Sequence, residues 1–134
     1  MQAEGTFTVQ TLPQESTAFE KDAGIVRVGF EKKWSGVLAG TSRCEMLSST
    51  TESTGAMAYT AMELFVGKVN GLSGSFYFSH VATMQKDDPA SGVMTIHVVR
   101  NSGTEQLQGL KGELLIHIEG GRHSYVFDYN LPSS

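Results

Sequence analysis

Polar and apolar residues alternate along most of this chain, and the three-to-four-residue period of an amphipathic helix hardly appears. Thr6-Phe7-Thr8-Val9-Gln10 alternates cleanly until Pro13 interrupts it. Ile25–Trp34 and Val37–Leu47 are two runs split by Ser35-Gly36, a two-residue hairpin signal. Ala56–Val69 and Leu72–Met84 are split by Asn70-Gly71, which suits the positive φ angles of a type I′ turn. Gly92–Val99 follows a polar, proline-containing loop at Gln85–Ser91, and Glu113–Ile118 joins His123–Asn130 around Gly120-Gly121. Ser48–Gly55 reads as a polar loop, and Thr104–Gln108 as a single helical turn stopped by Gly109. Short turns between successive runs favour antiparallel neighbours, and closing the sheet removes its edges. The expectation is all-β: one eight-stranded antiparallel up-and-down β-barrel domain spanning residues 1–134, with an open sandwich as the competing architecture.

A two-residue turn fixes register, and register fixes which side chains share a face. With Asn70-Gly71 as the loop, Tyr59, Ala61, Glu63 and Phe65 share a face with Phe76, Phe78, His80 and Ala82. The opposite face carries Met62, Leu64 and Val66 with Tyr77, Ser79 and Val81. Both faces are substantially apolar, yet a barrel has one interior. The second face therefore needs a cover, and a homodimer or higher oligomer formed through the fourth and fifth strands is expected. The alternative cover is the N-terminal segment around Phe19. In the last hairpin, Leu114, Ile116 and Ile118 join Tyr125, Phe127 and Tyr129 on an interior face, which turns His117 outward.

Composition narrows the classes. Hydrophobic residues make up 40% and charged ones 18%, a globular balance, and 134 residues suffice for one core. The net charge of −4, with nothing more basic than Glu31-Lys32-Lys33, argues against a nucleic-acid partner. A single cysteine, Cys44, leaves no intrachain disulfide or cysteine-based metal site, as suits a reducing cytoplasm. The first ten residues lack the pattern of a signal peptide, and no apolar run approaches the roughly 18 residues of a membrane-spanning helix. A cytoplasmic protein with no membrane partner is expected.

Glu63 is the residue that asks for an explanation. It lies between Ala61 and Phe65, faces Phe78, and has Tyr59 and His80 nearby on the same face. A carboxylate among aromatic rings is costly unless paired, hydrogen-bonded or protonated. Glu63 and His80 in an apolar cavity form either an acid–base pair or a structural pair that satisfies itself. Arg27, Glu31 and Lys33 share one face of the second strand, opposite Val26, Val28, Phe30 and Trp34. Turned inward, Lys33 or Arg27 would neutralise Glu63; turned outward, they are surface residues. Trp34 either lines a cavity mouth or fills core. His80 and His97 begin a metal site only in a register that buries His97; burying Met94, Ile96 and Val98 instead is more apolar, and no third ligand presents itself. Neither a metal nor any other cofactor is expected. A nucleophile elbow and a phosphate loop are both absent, and Cys44 has no evident histidine partner.

The segments EKKWSGVLAGTS, MELFVGKVNGLSGSFYFSH, SGTEQLQGLKGE and YVFDYNL, in this order and spacing, resemble a bacterial domain-of-unknown-function family of similar length. That family is placed among barrels similar to allene oxide cyclase. Lys33, Gly36, Gly40, Glu63, His80, Asp128 and Tyr129 fall on positions that look like its motif positions, while Glu105 and Ala82 stand where the family often has glycine. The resemblance covers nearly the whole chain. It implies an eight-stranded antiparallel barrel, supports oligomerisation and implies no activity, so carrying cyclase chemistry over would be fold analogy. Three functions follow as expectations. One is a barrel binding a small apolar or amphipathic ligand, with Glu63, His80, Tyr59, Phe78, Lys33 and Trp34 at the cavity. The second is an isomerase or cyclase using the Glu63–His80 pair, and the third a self-filled barrel acting through its oligomer surface.

Overall fold

The structure is a computed structural model, and it describes residues 1–132. Eight strands follow one another around a closed barrel: β1 (Gln2–Pro13), β2 (Ile25–Gly36), β3 (Leu38–Thr51), β4 (Ala56–Val69), β5 (Leu72–Gln85), β6 (Asp88–Val98), β7 (Lys111–Glu119) and β8 (Arg122–Asn130). Each pairs antiparallel with its neighbour in sequence, and β1 closes the barrel on β8. This is the expected up-and-down meander.

The two glycine-containing turns set the registers that the sequence implies. Val69 pairs with Leu72 and Glu63 with Phe78 across Asn70-Gly71, whose φ angles are 48° and 83°. Glu119 pairs with Arg122 across Gly120-Gly121. The β2–β3 connection differs from expectation: Trp34 pairs with Gly40, so Ser35-Gly36 is not the whole loop and Val37 lies at its tip. A distant residue overrides the local signal there. The Tyr125 hydroxyl donates to the Ser35 carbonyl at 2.9 Å and accepts from the Leu38 amide at 3.0 Å, holding the two ends of a wider turn.

Two further expectations shift. Gln85–Ser91 is not a loop, because β5 runs to Gln85 and β6 starts at Asp88 with a bulge between Thr83 and Gln85. Pro89 is tolerated because that part of β6 has no partner on its far side: β6 and β7 are in register only at His97 and Glu113. A short helix, α1 (Ala18–Ala23), also lies between β1 and β2, too brief for its period to show in the sequence. It is fixed by a capping box between Thr17 and Glu20, and Glu20 binds Arg27 on the outside of β2 at 2.9 Å. Phe19 on this helix is 71% exposed, so it does not cover β4 and β5.

The core fills one end of the barrel. Leu38, Phe65, Val69, Phe76, Phe78 and Phe127 are fully buried there. The β6–β7 connection, with its 3₁₀ turn Glu105–Leu107, folds over that end and contributes Leu107 and Leu110. It is held close because Gly74 leaves room for it: a side chain there would collide with the Thr104 carbonyl. The other end stays open. β3, β4 and β5 have 14 residues each and β7 and β8 only nine, so the longer strands overhang the shorter by on the order of 10 Å.

Candidate functional site

Cross-strand pairing carries one polar cluster into the apolar interior. Lys32 on β2 lies opposite Ser42 on β3, and Cys44 on β3 lies opposite Glu63 on β4. His80 enters from β5, where it lies opposite Ala61. Because alternate residues face inward, Lys32, Ser42, Cys44, Glu63 and His80 converge at mid-barrel, above the Phe78 ring, and all are buried.

Glu63 is the hub. One carboxylate oxygen accepts from Lys32 Nζ at 3.1 Å and meets His80 Nε2 at 2.8 Å. The other accepts from the Ser42 hydroxyl at 2.5 Å, and Ser42 in turn accepts from the Trp34 indole N–H at 2.8 Å. Burial is the largest single influence on Glu63 and favours its neutral form. The His80 hydrogen bond, the Lys32 charge, the Ser42 hydrogen bond and the His80 charge together outweigh it, and the carboxyl is held below its ordinary value. Beside it, burial and then the Glu63 charge push the Cys44 thiol up to about 12. Burial, then Cys44 and Glu63, also raise the Tyr59 phenol.

Above the cluster lies a cavity of about 210 Å³, lined by Lys32, Cys44, Tyr59 and His80 together with Met46 and Met94. It continues into a groove of about 520 Å³ along the inner face of the overhanging strands, where Met57, Met84 and Ala82 join Met46, Tyr59 and Met94. Four of the chain's six methionines thus line one concave surface. Glu63 itself is 0% exposed, so the cavity meets the donors around the carboxylate rather than the carboxylate.

Glu63, His80 and Tyr59 stand together as their shared face requires. Phe78 is beneath them in the packed half, fully buried. Trp34 fills core, stacked on Phe7 at 4.6 Å, and meets the cluster through its bond to Ser42 and through the Lys32 ammonium, 5.6 Å from the centre of its ring. Lys33 must be corrected: it is exposed on the outer face, and Arg27 is occupied by Glu20, so neither neutralises Glu63. Lys32 does. The alternation already contained that answer, since Lys32 shares its face with Phe30 and Trp34, but an apolar face is not where a charge is sought. Ser42 and Cys44 do not stand out in the sequence because a two-residue Ser35-Gly36 turn would pair Lys32 with Ala39 and put the odd-numbered residues of β3 on its face, whereas the wider turn pairs it with Ser42. His97 lies outside, 3.6 Å from Glu113, and His117 is exposed.

The fold and cluster define a half-filled antiparallel barrel with a buried, neutralised carboxylate beneath an apolar mouth. A family model described as "Protein of unknown function (DUF3224)" matches residues 3–129, and the chain belongs to that family. Its fold is similar to the crystal structure of a DUF3224-family protein of unknown function from Shewanella oneidensis MR-1, with 32% identity and a TM-score of 0.86 over 99% of this chain and 98% of the other. No curated protein matches the chain.

Proposed function

We propose that this barrel binds a small apolar or amphipathic molecule in its open end. The observation that carries the reading is the methionine-lined groove leading down to Lys32, Tyr59 and His80. Apolar walls with a few convergent polar groups are the usual makeup of a ligand site, and flexible thioether side chains adapt to irregular shapes. The test is native mass spectrometry of gently purified protein, beside titration with a fluorescent apolar probe such as anilinonaphthalene sulfonate. Wild type should carry or bind one small molecule, and Ala82→Trp, which fills the groove, should abolish this with its circular dichroism unchanged. Equal binding by a folded Ala82→Trp protein would overturn the reading.

An isomerase- or cyclase-type reaction is the second reading, favoured by one feature. His80 Nε2 is held by Glu63, while Nδ1 has no hydrogen-bond partner among the described residues and the ring lines the cavity. In the neutral ring, with Nε2–H donated to Glu63, that arrangement leaves the Nδ1 lone pair free to take a proton from a bound molecule. His80→Gln should then retain binding and lose turnover of whatever compound co-purifies.

The working unit in this proposal is a homodimer. Met62, Leu64, Val66, Tyr77 and Val81 are 37–58% exposed on the outer face of β4 and β5. At roughly 100 Å² each they offer about 500 Å² of apolar surface per copy, which with a polar rim approaches the ~800 Å² per partner of a stable interface. The occupant is a second copy, and the two faces meet about a twofold axis. A lone buried cysteine supports a cytoplasmic setting for that dimer.

A further inference from the structure

Cys44 is the one thiol of the chain, and the proposed function leaves it unused. Its sulfur, the Glu63 carboxylate and a ring nitrogen of His80 lie within 4.8 Å of one another, all three side chains buried. Glu63 is already satisfied by Lys32, Ser42 and His80, so it has little left to offer a metal. Its contact with Nε2 instead does what carboxylates do behind metal-binding histidines: it orients the ring and leaves the other nitrogen free. Nδ1 has no hydrogen-bond partner among the described residues. His80 and Cys44 both line the 210 Å³ cavity, and the Met46 and Met94 side chains line the same cavity.

We infer that Cys44, His80 and the methionine wall form a site for one soft monovalent cation, Cu(I), with Glu63 and Lys32 as the pair that orients and neutralises behind it. Thiolate, imidazole and thioether together select soft ions. The Lys32 ammonium beside the site disfavours a divalent ion. A monovalent one exchanges for the thiol proton when His80 is neutral, with Nε2–H donated to Glu63 and the Nδ1 lone pair free: Cu⁺ binds the sulfur and Nδ1, the S–H bond breaks, and the one proton leaves to solvent with no change in oxidation state. The exchange adds no net charge to an apolar cavity, which removes the electrostatic obstacle that a buried Zn²⁺ would meet. This inference stands apart from the organic-ligand reading, since uptake of the ion needs no second molecule.

The test is anaerobic titration of the purified full chain with Cu(I) supplied as its bicinchoninate complex. Wild type should withdraw one equivalent and bleach the chelate, with a new ultraviolet sulfur-to-copper band. Cys44→Ser and His80→Gln should each leave the chelate coloured, and Glu63→Gln should weaken uptake roughly 10- to 100-fold, as loss of an outer-shell partner does. X-ray absorption of the wild-type complex guards against a misfolded variant: sulfur and nitrogen scatterers support the site, and oxygen and nitrogen alone overturn it. Failure of wild type to withdraw copper, or equal uptake by a folded Cys44→Ser protein, also overturns it, whatever the outcome of the probe-binding experiment.

Discussion

At the scale of single residues, Glu63 keeps its charge away from bulk water because three donors surround it. Removing one leaves the rest mispaired. Lys32→Met should cost about 3–5 kcal/mol in urea unfolding, as broken buried pairs do, whereas Lys33→Met should stay within about 0.5 kcal/mol. The same carboxylate sets an acid limit. Its folded pKa is depressed, so its contribution is complete above the unfolded value of about 4.3 and fades as pH falls through that value toward the folded one. Unfolding free energies measured from pH 7 down to pH 3 should drop for wild type, and Glu63→Gln should remove part of that slope. Cys44 works at the alkaline end. Its thiol ionises more easily unfolded than folded, where it sits at about 12, so stability should decline above the ordinary thiol range and decline less in Cys44→Ser. Glu63 and His80 were legible in the sequence because one unambiguous turn places both. Lys32 was not, because a lysine can lay its apolar stem along a core and deliver only its ammonium to the pair, which no hydropathy pattern registers.

Individual elements differ in how firmly they are held. β4 is paired along its whole length with both β3 and β5, while β6 and β7 touch in register at a single position above which both carry unpaired backbone groups. Amide hydrogen exchange should therefore be much faster for Val93–Thr95 and for Leu115–Ile118 than for Leu64–Val66. Equal protection would show that the seam is closed in solution. The β2–β3 turn depends on one distant hydroxyl, so Tyr125→Phe should cost about 1–3 kcal/mol, the penalty for leaving the buried Leu38 amide unsatisfied. Strands were readable wherever a turn carried its own geometry, as at Asn70-Gly71. They were not where tertiary contacts set the turn, as Tyr125 does here, nor where an edge tolerates a proline that normally marks a loop, as at Pro89.

For the molecule as a whole, the proposed dimer rests on the exposed outer face of β4 and β5. Val66→Glu should yield a monomer by size-exclusion chromatography with light scattering, and its thermal midpoint should lose the dependence on protein concentration that a wild-type dimer shows. A wild-type monomer at micromolar concentration would sink the dimer. The sequence showed that the barrel has two apolar faces but not which end is filled, because that depends on a connection folding over the strands at Gly74, a contact between segments thirty residues apart.

The strand order has one more consequence, and it concerns time. Seven of the eight pairings join neighbours along the chain, so each hairpin can form with little loop-closure entropy to overcome. The β1–β8 pairing alone unites segments separated by nearly the whole chain. A curled ribbon of consecutive hairpins should thus assemble early and the final seam late, making that one junction the step that sets the folding rate. Substitutions along β1–β8 would slow refolding, while those in the β4–β5 hairpin would chiefly alter how a nascent chain avoids sticking to others before the ring shuts.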